Sequence, residues 1–104
     1  MSDYPTEADL AEIKKYDIFS KPLITMNPKT RKELVDFIGS IWWMPDFGFE
    51  EHENGLNLST GGWSGNEEII EALRSTLFWM LYWSEHHRGG HYKFKWEDKK
   101  EAGE

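Results

Sequence analysis

The sequence predicts an α+β domain, a small antiparallel sheet with helices packed on one of its faces. Three observations predict it. Apolar residues recur at 3-and-4 spacing over residues 28–42 and again over 66–87, the mark of helices with a buried stripe. The period changes to two on either side of Asn54-Gly55, a dipeptide that strongly favours hairpin turns. A second alternating stretch, His91-Tyr92-Lys93-Phe94-Lys95-Trp96, sends aromatic rings to one side and polar groups to the other. At 104 residues the chain has the length of a single domain, 1–104.

The elements follow in order. Residues 1–6 and 97–104 are expected to be flexible, because the tail from Glu97 is nearly all charge and buries nothing that offsets its ordering entropy. Thr6 can cap a short helix whose first turn holds Glu7 and Asp9 and whose last holds Lys14 and Lys15; Leu10, Ile13 and Tyr16 form its stripe. Residues 23–26 can add a short strand. Asn27 as N-cap and Pro28 at the first helical position open the helix over 28–42, with Leu34, Phe37, Ile38, Ile41 and Trp42 inward and Pro45 beyond its end. In the hairpin over 47–60, a loop of two or four residues puts Phe47, Phe49, Leu56 and Leu58 on one face. Ser64 and Glu67 have the spacing of a capping box for the helix over 66–87. The second half of that helix is apolar nearly all round, so a second subunit is expected against it. Gly89-Gly90 would close it, and residues 90–97 form the last strand.

Composition excludes several classes. Lys and Arg number 12 against 19 Asp and Glu, a net charge of −7, which disfavours nucleic acid and anionic membranes as partners. Absence of cysteine removes disulfides, a thiol nucleophile and thiolate zinc sites. The longest apolar run, 77–83, is far short of the ~20 residues a membrane helix needs. The polar, acidic start has no secretory leader, so a cytoplasmic location is expected. Six tryptophans are hard to bury completely in so short a chain, and one or two are expected on a working surface.

Two glycine-rich corners are the candidate site. Gly61, Gly62, Trp63 and Ser64 precede the long helix; Arg88, Gly89, Gly90 and His91 follow it. Glycines bare the backbone N–H groups, tryptophan offers a stacking face, and arginine offers a planar fork for an anion or a base edge. Each corner also has a purely structural explanation, a tight turn at one end and a helix cap at the other. Glu67 and Glu68 oppose an anion at the first. A single helix between the corners would hold them roughly 30 Å apart. They would then meet only across a symmetric antiparallel dimer.

Other chemistry is sparse. His52, His86, His87 and His91 lack a metal-ligand spacing, so no metal and no cofactor are expected. No serine-nucleophile elbow occurs, and Glu50-Glu51 and Glu67-Glu68 diverge as neighbours do. A hydrolase pairing His91 with Glu67 or Glu51 is a third-rank reading. Asp46, Glu50, Glu51, Glu53, Glu67, Glu68 and Glu71 suggest an acidic face for a host protein, the second reading.

The blocks GGWSGNE (61–67) and RGGHY (88–92), with Phe78-Trp79 and Tyr82-Trp83 between them, resemble a pattern in small uncharacterised bacteriophage and prophage proteins. The resemblance implies expression inside an infected bacterium and supplies no catalytic residue. The leading expectation is a non-enzymatic, homo-oligomeric binding module for a small polar or nucleotide-like ligand at the two corners.

Overall fold

The computed structural model describes residues 4–18 and 26–97. Among these it contains five helices and four strands, an α+β fold, as the patterning predicts. In chain order they are α1 (Glu7–Lys14), α2 (Pro28–Ile41), α3 (Pro45–Gly48), β1 (Phe49–His52), β2 (Gly55–Ser59), α4 (Ser64–Leu73), α5 (Leu77–Tyr82), β3 (Trp83–His87) and β4 (His91–Lys95).

The first helices begin as their caps dictate. The Asp9 N–H donates to Thr6 Oγ1 at 3.0 Å and the Thr6 N–H donates back to Asp9 Oδ2 at 2.9 Å. The Thr30 N–H donates to Asn27 Oδ1 at 2.8 Å, with Pro28 at the first position of α2. The expected strand at 23–26 lies outside the described residues, apart from Met26, which belongs to no element.

All four strands join one antiparallel sheet in the order β1-β2-β4-β3. The β1–β2 loop has two residues, but they are Glu53-Asn54, since His52 pairs with Gly55. Gly55 therefore belongs to β2 rather than to the turn, and its need is steric: a Cβ there would stand 2.7 Å from the Phe94 carbonyl oxygen. Phe49 pairs with Leu58 on the inner face as expected. Phe47 does not join them; it sits in α3, 80 % exposed, because the chain still turns helically before β1.

The largest correction concerns 66–87, which is not one helix. Thr76 ends α4 and starts α5. Its hydroxyl donates to the Leu73 carbonyl at 2.6 Å and accepts the Trp79 N–H at 3.1 Å. The segment after α1 holds this break, through Leu77 N–H to the Tyr16 carbonyl and Ile18 N–H to the Ser75 carbonyl. Beyond Tyr82 the chain extends, so 83–87 is the fourth strand and Arg88-Gly89-Gly90 is a hairpin loop instead of a helix cap.

The helices cover the sheet face that carries Leu56, Leu58, Tyr92 and Phe94. Aromatic rings fill much of that layer: Phe78 lies 5.0 Å from Phe94 and Tyr82 5.7 Å from Trp96. Arg31, nearly buried, places its guanidinium 4.4 Å from the Trp96 ring centre. Trp96 also fastens the first hairpin, donating from its ring N–H to the Glu53 carbonyl and from its backbone to that of Asn54, each at 3.1 Å. Two of the six tryptophans, Trp63 and Trp83, stand close to half exposed. No helix among the described residues is long and apolar enough to cross a membrane.

Candidate functional site

Because 83–87 runs back beside β4, the two glycine corners come together in one chain. Ser59 pairs with His91, and the Thr60 N–H donates to the Gly90 carbonyl at 3.0 Å. The separation of roughly 30 Å that a single helix imposes does not exist here. Bringing the corners together requires no second subunit.

Thr60, almost fully buried, is the hub. Its carbonyl accepts the Trp63 N–H at 3.0 Å and Asn66 Nδ2 at 3.3 Å, and its hydroxyl accepts the Gly62 N–H at 3.4 Å. Asn66 fixes the corner from inside. Its amide accepts the Trp43 N–H at 2.8 Å and donates to the Trp43 carbonyl at 3.1 Å. The expected capping box is absent: Ser64 is already the first residue of α4, and Trp63 at the N-cap makes no side-chain cap bond.

Gly61, Gly62, Gly89 and Gly90 all have φ between 63° and 88°, the left-handed region that glycine tolerates. Their surroundings differ. A Cβ on Gly90 would lie 2.2 Å from Thr60 Oγ1, one on Gly61 3.1 Å from the Trp63 ring, and one on Gly89 3.3 Å from His91 Nε2. Gly62 alone of the four has nothing within 4 Å. Bare backbone is thus backed by the chain's own side chains at three of the four positions. Trp63 is 47 % exposed and rests edge-on against Trp43, ring centres 5.5 Å apart. Arg88 is exposed at the β3–β4 loop and makes no hydrogen bond or ion pair among the described residues.

Next to the corners lies the face of the sheet that none of the described helices covers. Register sets a polar row across it, Glu50–Asn57–Lys93–Glu85, and a second, Ser59–His91–His87. Ser59 Oγ and His91 Nδ1 are 2.7 Å apart, and His87 Nε2 lies 2.9 Å from Glu85 Oε1. A cavity of about 380 Å³ spans these rows, lined by Glu50, Asn57, Leu58, Ser59, His87, His91, Tyr92 and Lys93. Of the eight expected site residues only His91 lines it. Alternation along β2 and β4 already turns Asn57, Ser59 and Lys93 to one side. Strand order and the extended state of 83–87, which complete the cavity, have no local signal.

The comparisons decide nothing further. The chain matches no family model, no curated protein and no solved structure. No group of three or more His, Asp or Glu side chains that could hold a metal ion occurs among the described residues. The acidic residues of the middle third do not share one face. Glu50 lies on the open side of the sheet, Glu51 bonds Lys32 Nζ at 2.8 Å on the helical side, and Glu68 and Glu71 border α1.

Electrostatics on the open face follow from these bonds. The Asn57 amide, donating to Glu50 Oε1 at 3.1 Å, is the main reason the Glu50 carboxyl sits below its usual 4.5; His52 adds to it. His87 lowers Glu85 in the same way. A lowered folded-state pKa stabilises the fold above the ordinary carboxylate pKa, and that contribution disappears as pH falls through the folded value. Asn57→Ala is expected to move the Glu50 titration, followed by side-chain carboxyl NMR, back toward 4.5. An unmoved midpoint would show that the amide does not hold this carboxylate.

Proposed function

We propose that the protein is a non-enzymatic binding module for a small polar or nucleotide-like ligand, received where the glycine corners meet the open face of the sheet. What supports this reading is that meeting: the Thr60–Gly90 bond brings Trp63 and Arg88 to the end of the sheet that also carries the Ser59–His91 pair. The half-exposed Trp63 ring supplies a stacking face, and Arg88 supplies a guanidinium that makes no hydrogen bond or ion pair among the described residues. The cavity beside them falls within the size range of small-molecule pockets. The phage-protein resemblance fits a use in the cytoplasm of an infected bacterium, holding a host molecule away from its receptor. The binding function requires no oligomer.

A panel of mononucleotides should raise the melting temperature, and Trp63→Ala and Arg88→Ala should each abolish the rise while the variants keep native dispersion in their NMR spectra. An unchanged rise in both variants, or no rise with any nucleotide, contradicts the proposal.

A further inference from the structure

We infer that the open-face cavity takes a phosphoryl group, with Lys93 and His91 as its anchors. This deepens the binding-module reading and rests on it.

Hydrogen-bonding capacity left over on this face is the starting point. One oxygen of each carboxylate is already engaged: Glu50 Oε1 accepts from Asn57 at 3.1 Å, and Glu85 Oε1 lies 2.9 Å from His87 Nε2, with Lys95 Nζ 4.0 Å from Glu85 Oε2. Asn57 Nδ2 donates to Glu50 Oε1, and His52 Nε2 lies 3.1 Å from each of them. Lys93 differs. It lines the cavity between Asn57 and Glu85 in the register, yet its ammonium makes no hydrogen bond or ion pair among the described residues. His91 keeps one nitrogen in reserve. In the tautomer whose Nδ1 accepts the Ser59 hydroxyl proton, Nε2 carries the ring hydrogen and is a donor. That Nε2 lies over Gly89, where a Cβ would stand 3.3 Å away, so the glycine keeps it uncovered.

Lys93 Nζ and His91 Nε2 can thus both donate into the cavity, and the ligand that satisfies two such donors is an oxyanion. Spacing agrees. Lys93 and His91 are two residues apart on β4, so their attachment points are roughly 7 Å apart on one face. One phosphoryl group taking a charge-assisted bond of about 2.8 Å at each of two oxygens spans a similar distance. Glu50 and Glu85 flank Lys93 in the register and oppose an anion there, so the affinity rests on the ammonium between them.

The test is a titration of the folded chain with inorganic phosphate, and in parallel with AMP, at constant ionic strength, followed by amide NMR. Saturable shifts centred on Ser59, His91 and Lys93 are expected. Lys93→Met should weaken binding by about tenfold or more, the loss of one charge-assisted bond. Lys95→Met, on the same strand face but outside the cavity lining, should leave the affinity within about twofold. Lys93→Gln serves if the methionine variant misfolds. The tighter of the two probes identifies the source, free phosphate or a phosphate ester. If AMP binds through Trp63 and Arg88 but Lys93→Met leaves its affinity unchanged, this inference falls and the binding-module reading stands. If no nucleotide binds and phosphate gives no saturable shift, both fall.

Discussion

Replacing Asn66 with alanine is expected to lower stability by about 3 kcal/mol, read as a shift in the denaturant midpoint without a change in slope. The magnitude follows from what the amide leaves behind. Asn66 is 1 % exposed and satisfies the Trp43 N–H, the Trp43 carbonyl and the Thr60 carbonyl at once. Alanine keeps the helix propensity of α4 and strips the partner from groups that water reaches poorly. In a domain of this size the change corresponds to a melting temperature lower by roughly 15 °C. A loss below about 1 kcal/mol would mean that solvent replaces the amide, and that the corner between β2 and α4 is looser than its bonds imply.

Gly90→Ala should cost nearly as much, about 2–3 kcal/mol, for two separable reasons. The residue has φ of 78°, and its new Cβ would meet Thr60 Oγ1 at 2.2 Å. Gly62→Ala supplies the comparison, since Gly62 has the same φ with open space around it. It should show the backbone penalty alone, about 1 kcal/mol. Adding Thr60→Ala to Gly90→Ala removes the clashing hydroxyl, so the double mutant should be more stable than the two single costs predict. Strict additivity would place the whole penalty in the backbone and none in the contact between the corners.

The elements legible in the sequence were those whose signals are local. Thr6 and Asn27 announce their helices because a cap bonds three residues away. That the loop between β1 and β2 is even in length follows from which lengths keep Phe49 and Leu58 on one face, while its two residues being Glu53-Asn54 does not. The division of 66–87 was not legible, because it depends on Asp17 and Thr76 meeting across nearly sixty positions of chain. Thr76 reads as one more helix residue until that bridge shows it as a stop. Gly89-Gly90 is ambiguous in itself, since left-handed glycines end helices and close hairpins alike. The candidate site shares this limit. Its residue types were visible, while their adjacency is a property of strand order, and Lys93, Ser59 and His87 enter only with it.

Among the described residues the sheet ends at β1 and β3, and each border carries something that discourages growth. β1 is four residues long and presents Glu50 and Glu51. β3 is irregular between Trp83 and Glu85, so its outer rim lacks the even spacing that an incoming strand reads. Templating from copy to copy, the usual hazard of exposed sheet edges, is opposed by charge at one margin and by irregular pairing at the other. Regularising β3 would remove the obstacle at that margin and leave the charges of β1 to guard the other.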